Sequence, residues 1–163
     1  MQSADDHVAD QLGVAAGTLI VSRHQGRYID GAPWSLQISF YPMDLVTRGA
    51  QLLLVAKDIT QGTVAYLRET LGLIQVGYSD RILVRPPDQN EVAFFGLPDD
   101  GRIAVTVINR TAYAASADGL VPCRVTVSVF PADRNQFVSN SGVVPHHLAG
   151  PVRPADVTLS HAE

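Results

Sequence analysis

The sequence predicts an α+β fold, in which a mainly antiparallel sheet of five or six strands packs against short helices. Two long β-rich hairpins account for most of the sheet, with predicted turns at Asp30-Gly31 and Asp118-Gly119. Asp-Gly between two strands is typical of a hairpin, because glycine tolerates the positive φ that the turn requires. A third long strand and a few short helical segments ended by glycine complete the pattern.

The elements have recognisable beginnings and ends. Carboxylates at its start and the i, i+4 pair Val8 and Leu12 predict a first helix that ends at Gly13. A second helix has apolar residues at helical spacing and ends at Gly72. The predicted order is a helix at 5–13, strands at 18–29 and 34–41, an apolar loop or short helix at 52–55, a helix from Thr60 to Leu71, a strand at 75–85, a brief helix at 88–96 capped by Asp88 or Asn90, and strands at 102–115 and 120–130.

Polar side chains are predicted to share one face of this sheet, because successive strand residues point to opposite faces. On the first hairpin the polar residues are Arg23, Gln25 and Arg27 of one arm and Ser35, Gln37, Ser39 and Tyr41 of the other, whose apolar row is Trp34, Leu36, Ile38 and Phe40. The last strand has an apolar row of Cys123, Val125, Val127 and Val129 and a mixed row of Arg124, Thr126, Ser128 and Phe130. A polar face of this kind either contacts water or forms the floor of a ligand pocket.

Composition and charge argue against several classes of function. The 163 residues are 46% hydrophobic and 17% charged, as in an ordinary globular domain. A net charge of −4 with a single lysine argues against direct nucleic-acid binding by this chain. From the first residues we expect no secretory signal, and no apolar run is long enough for a membrane span. The single cysteine, Cys123, fits a reducing cytoplasm and a place in the core. Because its histidines lack metal-ligand spacing, we expect neither a metal nor a cofactor.

Eight short motifs occur in a specific order between Val8 and about Val138. They are Arg23 followed by Asp30-Gly31-Ala32-Pro33, Ser39-Phe40-Tyr41-Pro42, Arg85-Pro86-Pro87, Glu91, Leu97-Pro98, Asn109-Arg110-Thr111-Ala112-Tyr113, Asp118-Gly119 and Asp133-Arg134. In this order they resemble the UTRA domain, the effector-sensing half of GntR-superfamily transcriptional regulators of the HutC type. The ending Asp133-Arg134-Asn135-Gln136-Phe137 is similar to that of actinobacterial members.

The resemblance implies a chorismate-lyase-like fold that encloses a small-molecule site and forms a homodimer. Residues 1–142 would be the sensing domain and residues 143–163 a loose C-terminal tail. The family's winged helix-turn-helix, which alone would contact DNA, would be absent, because too few residues precede the first predicted strand to form it. No membrane partner is expected.

The resemblance also places a ligand site. By spacing from Pro33 and along the last hairpin, the family's ligand contacts would fall on Gln25, Arg27, Gln37, Gly62, Thr63, Arg124 and Phe130, and strand alternation adds Ser39, Thr126 and Ser128. Arginine can bind a carboxylate or phosphate with two hydrogen bonds, and a helix start at Gly62 offers free N–H groups to the same anion. Sugar-phosphate binders of the family have acidic residues where this chain has Gln37 and Arg124. We therefore expect an anionic or carboxylated metabolite and not an amino sugar.

Other interpretations remain open. The fold is shared with a chorismate-lyase-like enzyme, and a third possibility is a ligand-free dimerisation scaffold whose pocket is filled by side chains. Arg27 and Arg124 would then be solvated strand residues. We expect Arg110 to form a fold-closing ion pair with Asp133 and Arg134, a similar structural role for Arg85, and a solvent-exposed position for Glu91 on its short helix.

Overall fold

The computed structural model of the chain describes residues 1–117, 119–139 and 143. Apart from residue 143, the predicted tail lies outside the described residues, as does Asp118 of the second predicted turn. The elements in chain order are β1 (Gln2–Ser3), α1 (Asp6–Leu12), β2 (Leu19–Ile29), β3 (Ala32–Pro42), α2 (Asp44–Thr47), a 3₁₀ helix (Gln51–Leu54), α3 (Thr63–Leu71), β4 (Gln75–Arg85), α4 (Gln89–Phe95), β5 (Val105–Ser116) and β6 (Gly119–Pro131). No helix in this described part is long and apolar enough to cross a membrane.

The six strands form one antiparallel sheet in the order β1-β2-β3-β6-β5-β4. The α+β class and the antiparallel sheet predicted from the sequence are therefore confirmed, with six strands. The two hairpins meet where β3 pairs with β6, so that Gln37 lies opposite Ser128 and Ser39 opposite Thr126. This junction brings the polar rows of the two halves of the chain together.

Helices cover both faces of the sheet. Ile20 and Phe40 are buried on one face against α1, and α4 packs on a neighbouring part of the same face. Val21 and Tyr41, the next residues in the two strands, point to the opposite face. There they pack with α2, the 3₁₀ helix and α3, which contributes Leu67. The polar row of β3 continues from Tyr41 on this second face.

Register shifts interrupt three of the five strand pairings, β2–β3, β4–β5 and β5–β6. The shift between Arg27 and Tyr28 leaves Trp34 without a pairing partner on β2. Trp34 instead packs edge-on against Phe130, with 5.5 Å between ring centroids. The prediction that Trp34 shares a face with the apolar row of β3 is therefore wrong, because the bulge changes the alternation at this residue.

Cys123 is buried, as expected, but in a different cluster from Val125. A second register shift, between Ala112 and Tyr113, occurs beside it, and the thiol packs against Ala112 and Ala114. Its Sγ donates to the carbonyl oxygen of Ala112 at 3.4 Å. Burial raises the pKa of the Cys123 thiol, so this cysteine is a poor nucleophile.

Glu91 differs from its predicted solvent-exposed position, because only 4% of the residue is exposed. Its carboxylate accepts from both terminal nitrogens of Arg85, at 2.7 and 2.6 Å, and from the backbone N–H of Asp88 at 2.8 Å. Asp88 caps the same helix and completes a capping box with Glu91. The hydrogen bonds from Arg85 to Glu91 raise the pKa of the Arg85 guanidinium, and the pair ties α4 to the end of β4.

Arg110 does not pair with Asp133 as predicted. The register of β4 and β5 places Asp80 directly opposite Arg110, and the two side chains share two hydrogen bonds of 2.7 Å. These bonds raise the pKa of Arg110, whose guanidinium also lies 3.7 Å from the ring centre of Tyr78. Asp133 binds its neighbour Arg134 instead.

Candidate functional site

A pocket of about 1030 Å³ lies on the sheet face that carries α3. Strands β2, β3 and β6 form its floor, and the segment between β3 and α3, together with the first turn of α3, forms its wall. The lining residues are Ser22 to Arg27, Gln37, Tyr41, Leu53 to Ala65 and Arg124. A cavity of this size is at the upper end of the range for small-molecule sites.

Six of the ten predicted site residues line this pocket, namely Gln25, Arg27, Gln37, Gly62, Thr63 and Arg124. Gln25 lies directly opposite Gln37 in the β2–β3 pairing, so their side chains point to the same face. Arg124 approaches from β6, on the far side of β3. Residues as far apart in the sequence as Gln25 and Arg124 thus line one pocket.

Three further predicted residues lie beside Gln37 and do not line the pocket. The Gln37 amide donates to Ser39 Oγ at 3.0 Å and to Gln25 Oε1 at 3.4 Å, and it accepts from Ser128 Oγ at 3.5 Å. Ser39 lies 3.3 Å from the hydroxyl of Thr126, and both residues are buried. Ser39 and Ser128 therefore orient the Gln37 amide directly, and Thr126 restrains Ser39 in the same hydrogen-bond network.

Phe130, the last of the ten, lies away from the pocket. Its ring is buried between Trp34 and Phe137, at centroid distances of 5.5 and 5.1 Å. Both contacts are edge-to-face, a favourable arrangement for aromatic pairs. The structure gives Phe130 a packing role at this end of the sheet.

The first turn of α3 lines the pocket with its backbone exposed. Gly62, at the N-cap, has a φ of 79°, and no side chain caps the helix. The first N–H groups of a helix have no partner within it, and they carry the positive end of the helix dipole. Gly62 donates its own N–H to the carbonyl of Ile59 at 2.7 Å. The N–H groups of Thr63, Val64 and Ala65, which also line the pocket, are the ones available to an anion there.

The charged residues of the lining are mostly cationic. Arg23, Arg27, Lys57 and Arg124 line the pocket with a single carboxylate, Asp58. Arg124 donates to Gln75 at 3.0 Å, and its buried Nε has no hydrogen-bond partner within the described residues. Arg27 forms no salt bridge within that part of the chain. Two guanidinium groups thus retain donors for a ligand.

Arg23 has a role that the sequence analysis missed. Its guanidinium donates to the backbone carbonyls of Leu52 and Leu53 at 3.1 Å, and to those of Val55 and Lys57 at 2.8 Å. Arg23 thereby attaches the wall segment to the floor of the pocket. Its position in the polar row with Gln25 and Arg27 was the one available signal.

Comparisons with known proteins agree on the type of domain. The family model described as the UTRA domain matches residues 1–136. The effector domain of PhnF from Mycobacterium smegmatis is 25% identical, with a TM-score of 0.71 over 86% of this chain and 81% of that one. A GntR-family transcriptional regulator from Bacillus cereus is 18% identical, with a TM-score of 0.70 over 86% of this chain and 92% of that one. No curated protein sequence matches significantly.

A longer PhnF structure, also from Mycobacterium smegmatis, shows the extent of the similarity. It is 24% identical to this chain with a TM-score of 0.70, and the match covers 87% of this chain but 59% of that protein. The similarity thus corresponds to one part of that regulator.

Proposed function

We propose that this chain, which belongs to the UTRA domain family, binds an anionic small-molecule effector in the pocket between the β2–β3–β6 floor and α3. Family membership and the likeness to GntR-family regulators support an effector-sensing regulatory domain. The ten residues predicted from the sequence then divide into pocket-lining contacts and residues that support them.

The observation that carries this proposal is the convergence of Arg27, Arg124 and the start of α3 on one hollow. Each guanidinium can donate two parallel hydrogen bonds to a carboxylate or phosphate. The uncapped helix adds backbone N–H donors and a partial positive charge. An anion is the ligand that this set of donors binds best, because its carboxylate or phosphate oxygens accept from all of them.

The effector would be bound without being converted. A chorismate-lyase-like reaction needs an acid placed against the substrate, and Asp58 is the one carboxylate of the described lining. The ligand-free scaffold would require side chains to fill the pocket, whereas the pocket keeps a volume of about 1030 Å³. Sensing is therefore the function that we favour over catalysis and over a purely structural role.

The signal would pass to a winged helix-turn-helix in a cytoplasmic, HutC-type regulator. The chain itself carries a net charge of −4, which disfavours contact with the phosphate backbone of DNA. The effector would bind one conformation of the regulator more tightly than the other, and the two conformations would differ in DNA affinity. The coupling free energy between the two sites is typically about 1–3 kcal/mol. The DNA-binding module is thus a partner that the effector reaches only through this domain.

A ligand screen tests the proposed function directly. Carboxylated and phosphorylated metabolites, including chorismate, are added to the purified chain, each beside its neutral amide or dephosphorylated counterpart. We expect the melting temperature to rise with the concentration of an anionic compound, which NMR shows to be unconsumed, because a ligand at 100 times its Kd adds about 2.7 kcal/mol of stability. Turnover of chorismate, or the absence of any saturable anion from a broad set, would contradict the proposal.

A homodimer is proposed for this domain, through the edge strand β4. The apolar side chains of β4 that are exposed are Val76, Tyr78, Ile82, Leu83 and Val84. Apolar residues concentrated on an unpaired edge favour a protein partner, and a regulator that reads a two-fold symmetric operator needs a second copy of itself.

Lysine at both Ile82 and Val84 should therefore convert the dimer to a monomer in sedimentation velocity. The two side chains share a face of β4 and are 56% and 66% exposed, so their replacement should leave the circular dichroism spectrum unchanged. Lysine at Ile29, which is 52% exposed at the end of β2 and away from β4, is the matched control and should leave the dimer intact. A monomeric wild-type chain at tens of micromolar would contradict this proposal and leave the ligand site untouched.

A further inference from the structure

The wall and the floor of the pocket differ in chemistry. The floor is lined mainly by polar side chains, whereas seven of the thirteen wall residues at 53–65 are apolar. The polar side chains of the wall are those of Lys57, Asp58, Thr60, Gln61 and Thr63. The apolar wall consists of Leu53, Leu54, Val55, Ala56, Ile59, Val64 and Ala65. A ligand that fills the pocket therefore contacts cationic groups on one side and hydrocarbon on the other.

Part of this apolar wall is exposed. Leu54, Val55 and Val64 are 40%, 45% and 44% exposed, whereas Leu53 and Ile59 are buried in the core beneath them. Apolar side chains grouped in this way around a concave site are typical of a surface that a ligand covers. The three exposed side chains therefore represent binding area that a purely polar ligand would not use.

Four backbone carbonyls of the wall are already occupied by hydrogen bonds within the protein. The carbonyls of Leu52, Leu53, Val55 and Lys57 already accept hydrogen bonds from Arg23. A ligand with many hydroxyl groups, such as a sugar, needs an acceptor for each buried hydroxyl, and an unpaired buried hydroxyl weakens binding. These four carbonyls are therefore not free for the hydroxyl groups of a polyol, whereas the exposed side chains of Leu54, Val55 and Val64 accommodate hydrocarbon.

We propose that the effector is an amphiphilic anion, in which one carboxylate or phosphate group is attached to an apolar body. The anionic group would lie against Arg124 and the start of α3, and the apolar body against Leu54, Val55 and Val64. This inference rests on the proposed function, because it assigns the chemical class of the ligand to the same pocket. A sensor of sugar phosphates would bind the same anionic group. The two ligand classes differ in the uncharged part of the ligand, which is apolar here and carries hydroxyl groups in a sugar phosphate.

Two matched pairs of probes test the ligand class by calorimetry. Hexanoate and gluconate are six-carbon monocarboxylates that differ in their hydroxyl groups, and hexyl phosphate and glucose 6-phosphate form the corresponding phosphate pair. We expect the hydrocarbon member of at least one pair to bind at least about tenfold more tightly, because each buried methylene contributes favourably to binding. Tighter binding of the sugar members would overturn the inference and leave the proposed anion sensor intact, whereas a lack of binding by all four probes would overturn both.

A variant separates contact with the wall from anion binding. Val64→Ala should weaken the hydrocarbon probes by about fivefold and leave gluconate and glucose 6-phosphate unchanged, because it removes apolar contact area, adds no polar group and keeps the backbone N–H. Val121→Ala, at a valine that is 42% exposed on β6 and does not line the pocket, is the control and should change none of the affinities. Equal losses for both members of a pair, or no loss at all, would overturn the assignment of the apolar body to this wall.

Discussion

Glutamine at both Arg27 and Arg124 should abolish the saturable binding of anionic ligands while the domain remains folded. Both guanidiniums line the pocket from different strands, and both retain donors that no described residue occupies. A hydrogen bond to a charged group contributes about 1.5–3 kcal/mol, so each single substitution should weaken binding by roughly 10- to 100-fold. The double variant should then fall below detection in calorimetry, with an unchanged circular dichroism spectrum.

The matched control for this pair is Arg102→Gln. Its side chain is 84% exposed, forms a salt bridge with Asp100 and does not line the pocket. It changes the net charge of the chain by the same amount as each single variant does. It therefore distinguishes the loss of a direct contact with the anion from the effect of net charge on anion affinity. An anion affinity that stays within twofold of the wild type in the double variant would place the ligand elsewhere.

The floor of the pocket was accessible to sequence analysis because strand alternation is a strict rule. Parity placed Gln25 and Arg27 on one face of their strand and put Gln37 and Arg124 in the polar or mixed rows of theirs, and the family resemblance named all four as ligand contacts. Antiparallel pairing keeps directly opposite residues on the same side, and the four line one pocket. Parity fails only where a bulge inserts a residue, and it failed at Trp34 for that reason. A sequence contains no direct signal for the position of such a bulge.

Ion pairing was less predictable than the strands themselves. Arg110 was expected to close the fold with Asp133, but its partner is decided by the register of β4 against β5, which places Asp80 opposite it. Glu91 was expected on a solvent-exposed face of its short helix, and the contact with Arg85 that buries it depends on how that helix meets β4. Charged side chains have many possible partners, and tertiary geometry selects one.

The wall of the pocket was the part least visible in the sequence. The segment from Gln51 to Gly62 has no period of apolar residues, and Arg23 holds it through backbone carbonyls, which every residue possesses. A side chain that binds backbone groups has no partner residue type that a motif could reveal. The predicted ligand residues therefore came from the floor and from the helix start, and the attachment of the wall appeared only in three dimensions.

Methionine in place of Arg23 should release this wall without unfolding the domain. The substitution keeps an unbranched apolar stem and removes the hydrogen bonds to four backbone carbonyls of residues 52–57. Lys57, the single lysine of the chain, lies in that segment, so a lysine-specific protease cuts the protein at one position and reports opening of the wall. We expect cleavage at Lys57 to accelerate by roughly 10- to 100-fold, because losing several hydrogen bonds destabilises the closed wall by about 1.5–3 kcal/mol.

Arg48→Met provides the control for this experiment. Arg48 is the C-cap residue of α2, is 52% exposed and forms a single salt bridge with Asp44 at 3.5 Å. Its replacement should leave the cleavage rate unchanged. Urea unfolding of both variants separates local from global opening, since protease cleavage also follows the population of the unfolded state. A loss of unfolding free energy in Arg23→Met that by itself accounts for the faster cleavage would show that Arg23 stabilises the whole domain and not the wall. An effector that occupies the pocket should slow cleavage of the wild-type chain, because it contacts the wall only when the segment is closed.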